Sequence, residues 1–184
     1  MDLDKAIQSR KSVRKFKDKK PDWRDILEAI DAARHAPTSG NNFTMKFILV
    51  DEKEKIKKIA EACQQNFIVK SHYVVVVYSN YSRLTNSFGE KGETYGKQQA
   101  GAAIQNFLLK LHEKGLSTCW IGHFTEDQIK KELRIPANMT LEAVFPIGYG
   151  NESAKPKRKV ELGNILFFNK HDASKMNKVK SVNI

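Results

Sequence analysis

The run HYVVVVY (72–78) constrains this chain most. A continuous β-branched and aromatic stretch leaves no polar face for water, so it predicts a central strand covered on both sides. Helical patterns that could supply the covers flank it. Asp22 stands as an N-cap before WRDILEAIDAARHA, where Trp23, Ile26, Leu27, Ile30 and Ala33 are spaced as one apolar face. That helix must stop near Pro37, because the residue before a proline is pushed out of the α region. EKEKIKKIAEAC (52–63) predicts a lysine-rich helix burying Ile56, Ile59, Ala60 and Cys63. KQQAGAAIQNFLLKLHEK (97–114) predicts a long helix closed by Gly115 at C′.

The remaining elements are shorter. Residues 2–10 place Leu3, Ala6 and Ile7 at helical spacing. MKFILV (45–50) and LEAVFPIGYG (141–150) read as strands, and LSTCWIG (116–122) as a buried strand or loop. Thr125-Glu126-Asp127-Gln128 is a capping box opening a helix to Leu133. The polar, glycine-bearing stretch 79–96 predicts a mobile insertion. Ala100-Gly101-Ala102-Ala103 would let a second helix or subunit approach closely. Helices and strands alternate irregularly, which predicts an α+β or three-layer αβα fold. A single domain over residues 1–170 is expected, followed by a lysine-rich tail, 171–184.

The net charge of +11 makes anionic partners plausible, although a lysine-rich solvated surface accounts for most of it. No run approaches the ~18 apolar residues of a membrane span, and the opening residues do not read as a signal peptide. Cys63 and Cys119 stand far apart, with no CxxC or histidine-rich ligand spacing, so neither a disulfide framework nor a metal site is expected. A reducing cytoplasmic setting follows.

Four stretches could carry chemistry. In Arg10-Lys11-Ser12-Val13-Arg14 the guanidiniums converge whether the chain is helical or extended, but only the extended form adds the Ser12 hydroxyl. Two forked donors and a hydroxyl suit a phosphate dianion; a solvated basic stretch is the plain alternative. Pro37-Thr38-Ser39-Gly40-Asn41-Asn42 gathers hydroxyls and amides that could bond a planar heterocycle, or could simply form a helix-to-strand turn. Cys119-Trp120-Ile121-Gly122-His123 ends a strand on a glycine that a ligand could approach, with Cys119 read as a small buried thiol. Lys155-Pro156-Lys157-Arg158-Lys159 is a solvated loop or an anion patch, without the aromatic residues that stack on bases. There is no GxSxG elbow and no paired-carboxylate set, so a bound cofactor would have to do the hard step.

Taken in order, these pieces resemble the nitroreductase family of FMN-dependent oxidoreductases. The resemblance rests on AIQSRKSVRKF, AARHAPTSGNNF, QNF, AGAAIQNFLLKLHEKGLSTCWIG, VFPIGYG and KPKRK, and spans almost the whole chain. It implies a three-layer αβα fold with a central, mostly antiparallel sheet. It implies that Arg10, Ser12 and Arg14 hold the FMN phosphate, with Lys11 beside them and Arg158 and Lys157 completing the clamp. Pro37, Thr38, Ser39 and Asn41 would lie along the flavin of the partner subunit, Asn66 would reach the pyrimidine edge, and backbone near N5 would come from Ile121 and Gly122, with His123 close by. It further implies an obligate homodimer and ping-pong transfer from NADH or NADPH through flavin N5 to a nitroaromatic, a quinone or a similar small acceptor. No side chain need act as acid or base in that scheme.

The chain departs from the family where a Gln-Pro-Trp-like segment is common: it has Asn42-Phe43-Thr44-Met45. That position is expected to line the approach to the flavin. The departure keeps open a related flavoprotein reaction, dehalogenation or flavin fragmentation. A basic nucleic-acid-binding module is the remaining, weaker alternative, resting on charge alone.

Overall fold

A computed structural model describes residues 1–151, 159–171 and 173. Met1–Ala154 forms one compact unit and Lys155–Ile184 a second.

In the first unit, β1 (Met45–Val50), β2 (Tyr73–Ser79), β3 (Ser117–Thr118) and β4 (Thr140–Gly148) make a four-stranded sheet in the order β1-β2-β4-β3, every pair antiparallel. The expected central strand is β2, and Val74 to Val77 are wholly buried. Strand alternation sends Val75 and Val77 to one apolar layer and Val74 and Val76 to the other. The first layer packs under α2 (Trp23–Ala33) and α5 (Lys91–Glu113) through Ile26, Ala29, Ile104 and Phe107. The second packs under α3 (Lys53–Ala62) and α6 (Glu126–Leu133) through Ile56, Ile59 and Ile129. Burying each of these valines is worth roughly 1.5–3 kcal/mol before the entropy of ordering is subtracted. The result is helix, sheet, helix: the α+β three-layer arrangement expected.

Local signals account for the helix ends. Asp22 Oδ1 accepts from the Arg24 N–H at 2.9 Å, and α2 ends at Ala33, ahead of Pro37. Gly115 closes α5 in the left-handed region at φ 73°. The capping box at Thr125 does not form, since the Thr125 side chain makes no cap bond. Glu126 is used differently: its carboxylate accepts from the Leu141 N–H at 3.0 Å and from Lys130 at 2.7 Å, tying α6 to β4.

Two expectations need correction. Residues 79–96 are not a mobile insertion. They form α4 (Ser82–Phe88) and the first turns of α5, which starts at Lys91. The glycines there are packing glycines: a Cβ on Gly92 would lie 2.4 Å from the Leu84 backbone, and one on Gly96 2.4 Å from the Tyr81 ring. The apolar face of α2 is also narrower than its spacing suggests. Ile26, Ala29 and Ala33 are buried, whereas Trp23 and Leu27 stay 45% and 43% exposed. Leu3 and Ile7 of α1 (Leu3–Ser9) are exposed as well.

In the second unit, Leu162–Asn164 makes a 3-10 turn, and Val160, Leu162 and Ile165 are exposed. Among the described residues no helix is long and apolar enough to cross a membrane.

Candidate functional site

Arg10 closes α1, its N–H bonded to the Ala6 carbonyl at 3.1 Å, and the backbone then leaves the helix. The chain beyond it is clipped across the end of the sheet. The Val13 N–H donates to Thr118 O (3.0 Å), the Lys17 N–H to Tyr149 O (2.8 Å) and the Asn151 N–H to Lys15 O (2.9 Å). Of the two conformations open to Arg10–Arg14, the extended one is therefore found. Val13 points inward at 3% exposure, so Ser12 and Arg14 share the outward side, with Arg10 next along the same register. Lys11 is exposed on the alternate register.

Close approach makes this possible. A Cβ on Gly150 would lie 2.8 Å from Ser117 Oγ, and one on Gly148 2.9 Å from the Phe16 ring. Beneath Ser12, whose bridge partner is Thr118, the buried Thr118 Oγ1 has no hydrogen-bond partner among the described residues. Two guanidiniums and a hydroxyl in one extended stretch, bridged to a residue with an orphaned buried hydroxyl, fit a group carrying several acceptor oxygens. Lys157 and Arg158 lie outside the described residues.

His112, near the end of α5, sits behind this face. Ser9 Oγ donates to Lys5 O at 2.5 Å, so the contact at 2.7 Å between Ser9 Oγ and His112 Nε2 has the imidazole as donor. Burial, then the charges of Arg10 and Lys11, hold this imidazole below the usual histidine range.

Past Thr118 the chain runs back along β4. Ile121 and Val144 exchange both backbone bonds, at 3.1 and 3.0 Å. The sheet thus engages the Ile121 N–H, and the next residues, Gly122 and His123, are exposed. The Thr125 N–H donates to Ala62 O at 2.8 Å, tying this segment to the end of α3. Asn66, exposed, opens the 3-10 turn Asn66–Lys70 just beyond. Both cysteines are buried, and burial pushes the Cys63 thiol up to about 12, away from an activated nucleophile.

The loop 37–44 is built differently. Gly40 (φ 59°) and Asn41 (φ 52°) are successive left-handed residues, closed by an Asn42 N–H to Ser39 O bond of 3.2 Å. Pro37, Gly40 and Asn41 are exposed, while Thr38 and Ser39 are half-buried. The Phe88 ring, 40% exposed, lies 3.5 Å from where a Gly40 Cβ would be. Phe43 packs against the core, and Thr44 and Met45 are buried. Within the segment in which the chain departs from the family pattern, Asn42 and Phe43 stay half-buried while Thr44 and Met45 turn into the protein. The sequence reading missed Gln99, whose side chain is buried and bonds both Ser39 and Thr44.

The structure holds Arg10, Lys11, Ser12 and Arg14 at one end of the sheet, while the Thr125–Ala62 bond ties the segment after Gly122 to the end of α3, four residues before Asn66. It does not bring Pro37–Asn41 to them. The loop precedes the row Met45–Ser79–Thr140, and the clamp lies at the row containing Thr118 and Ile147. Thr140 to Ile147 spans about 23 Å at ~3.3 Å per residue. A second ruler agrees. Gln99 bonds the loop and His112 bonds Ser9, and on α5 they are about 20 Å apart at ~1.5 Å per residue.

The model of the nitroreductase family matches residues 7–74 and 61–149. A Methanothermobacter thermautotrophicus protein, provisionally named NADH dehydrogenase/NAD(P)H nitroreductase, is 31% identical over 83% of this chain and 80% of its own length. An iodotyrosine deiodinase of Thermotoga neapolitana is 26% identical over 82% of this chain and 89% of its own. Among solved structures, a nitroreductase family protein from Clostridium novyi superposes with a TM-score of 0.76 at 28% identity, covering 94% of this chain and 96% of that one.

Proposed function

The chain belongs to the nitroreductase family, and on that premise we propose that it is a homodimeric, FMN-dependent oxidoreductase. Arg10, Ser12 and Arg14 hold the flavin phosphate, with Lys11, Lys157 and Arg158 adding positive charge. Asn66 meets the pyrimidine edge, and the Ile121–Gly122 backbone borders the ring near N5. The chemistry that bound FMN supplies is two-electron transfer from NADH or NADPH to a nitroaromatic, a quinone or a similar small acceptor, in ping-pong order. The protein's own part is to hold, orient and shield. The clamp fixes the phosphate end by charge-assisted donors. The loop Pro37–Asn41 orders the surface against which the ring lies.

The observation that carries this reading is the Arg10–Ser12–Arg14 face, held extended by the Val13–Thr118 bond at 3.0 Å. The separation of loop and clamp supports the dimer. With loop and clamp about 20 Å apart on the helix ruler, Pro37, Thr38, Ser39 and Asn41 are read as serving the flavin held by the other protomer. Gly101, whose Cβ position meets open space, and the exposed Leu3, Ile7, Trp23 and Leu27 leave room for that second copy. Two buried free cysteines suit a reducing cytoplasm.

The test is an absorbance spectrum of the purified protein, before and after heat release of bound ligand. Flavin bands at one FMN per chain support the reading; a colourless protein that also fails to take up added FMN overturns it. The similarity to a deiodinase favours a second reading, reductive dehalogenation at the same site. Tight, reducible flavin with negligible NAD(P)H oxidation would select it.

A further inference from the structure

Gln99 stands out among the residues of α5. It lies in the helix segment that packs the first apolar layer, beside Ala100, Ala103 and Ile104, yet it is a carboxamide at 4% exposure. Burying such a group costs free energy unless both ends are bonded. Both are. Gln99 Oε1 accepts from the Ser39 N–H at 3.3 Å, and Gln99 Nε2 donates to Thr44 Oγ1 at 2.6 Å.

The two partners are the two ends of one loop. Ser39 begins the left-handed pair Gly40 and Asn41, and Thr44 delivers the chain into β1, its carbonyl taking the Asn80 N–H at 3.1 Å. A single side chain therefore closes the ring of chain from 39 to 44. The job needs an acceptor for a main-chain N–H and a partner for a hydroxyl at the same reach, which an apolar side chain cannot offer. The helix that carries it is fixed by the core, and one turn earlier Gly96 admits the Tyr81 ring. The loop thus takes its shape from the core through one amide.

We propose that Gln99 is a positioning residue for the flavin: it sets the conformation of Thr38–Asn41, and through that loop the environment of the ring held by the partner protomer. The proposal rests on the reading of this loop as a flavin contact. It predicts that Gln99 governs the ring end of the cofactor and leaves the phosphate clamp, at the far end of the sheet, untouched.

The experiment compares the full-length wild type with Gln99→Leu, Gln99→Glu and the double variant Gln99→Leu/Thr44→Val. The double variant leaves no buried hydroxyl stranded and so separates folding from positioning. Flavin affinity is titrated with FMN and, as a probe of the clamp alone, with inorganic phosphate. The visible flavin spectrum and the reduction potential report the ring environment. Gln99→Leu and the double variant should weaken FMN binding about tenfold or more. They should also shift the visible spectrum, with phosphate binding and melting temperature of the double variant close to wild type. Gln99→Glu keeps the acceptor and lets the Thr44 hydroxyl donate, so it should restore most of the affinity. A double variant with wild-type FMN affinity, spectrum and potential overturns the proposal and leaves the flavin reading standing. A wild type that takes up no FMN overturns both.

Discussion

The Tyr81 hydroxyl donates to the Glu142 carboxylate, joining the residue that caps α4 to the start of the inner strand β4. Glu142 is available for this because the β2–β4 ladder slips there. Val77 pairs with Ala143 and Tyr78 with Leu141, so Glu142 bulges out of the register.

Burial pushes the Glu142 carboxyl above the ordinary glutamate range, against the pull of Tyr81 and Lys97. The linkage sign follows. Between the ordinary value of 4.5 and the raised one, the folded protein keeps a proton that the unfolded chain has lost. Stability therefore falls as pH rises through that window. Glu142→Gln keeps an acceptor for Tyr81 and removes the charge, so thermal melts from pH 4 upward should lose this slope. Tyr81→Phe should cost about 1–3 kcal/mol by stranding the carboxylate. An unchanged slope in Glu142→Gln would show that this carboxyl is not perturbed.

His112 gives the opposite sign. Its imidazole is held low by burial and by Arg10 and Lys11, so below the ordinary value of 6.5 the unfolded chain binds a proton that the folded one refuses. Stability is complete above that value and is lost as pH falls below it toward the folded value. His112→Gln should flatten the pH dependence there. Phosphate in the clamp offsets the repelling charges, so adding it should raise the His112 titration midpoint in an NMR titration. A midpoint that ignores phosphate would place the anion elsewhere.

Arg10→Ala with Arg158→Ala should strip FMN from a protein that still folds. Losing two charge-assisted contacts, each worth roughly 1.5–3 kcal/mol, weakens binding by ~100-fold or more. Fluorescence titration with FMN alongside circular dichroism separates loss of flavin from loss of fold, and full retention would sink the clamp assignment.

Much of the fold was legible because its signals are local. The valines of β2 demanded cover on both faces, and Asp22 and Gly115 marked helix ends by chemistry that works within one turn. Arg10–Ser12–Arg14 could be recognised as a set, but only the bonds to Thr118 and Tyr149 decide that the segment is extended. What was missed depends on distant partners. Gly92 and Gly96 resemble loop glycines until Leu84 and Tyr81 are seen against them. Gln99 belongs to no motif, and its role exists only because the loop folds onto α5. Thr125 has a capping-box sequence, yet its side chain makes no cap bond, and the neighbouring Glu126 bonds the Leu141 N–H across to β4.

Gly92→Ala tests the packing that replaced the expected insertion. The methyl would meet the Leu84 backbone at 2.4 Å, and main chain cannot move aside as a side-chain tip can. The α4–α5 junction should lose about 1–3 kcal/mol. Phe88, which packs edge-on to Tyr95 with ring centroids 5.4 Å apart and lies over Gly40, should become mobile. Melting temperature reads the first effect, and hydrogen exchange across residues 82–95 the second. A variant as stable and as protected as wild type would show that the junction is looser than drawn.

Leu27→Arg tests the dimer and the shared site together. Sequence periodicity cannot tell a face that meets the core from one that meets a second chain. Leu27 and Trp23 have helical apolar spacing and still lie 43% and 45% exposed. Lys114, in ion pairs with Asp25 at 3.3 Å and Glu28 at 2.6 Å, holds this end of α2 beside the end of α5, near His112. The exposed apolar residues of α1 and α2 therefore flank the same part of α5. An arginine placed there costs nothing in an isolated protomer and several kcal/mol in a dry interface. Sedimentation should show a folded monomer, and flavin should be lost although Arg10, Ser12 and Arg14 are intact, because the loop that covers the ring leaves with the partner. A monomer that keeps FMN would mean one chain completes its own site. A dimer that persists would move the interface to another face.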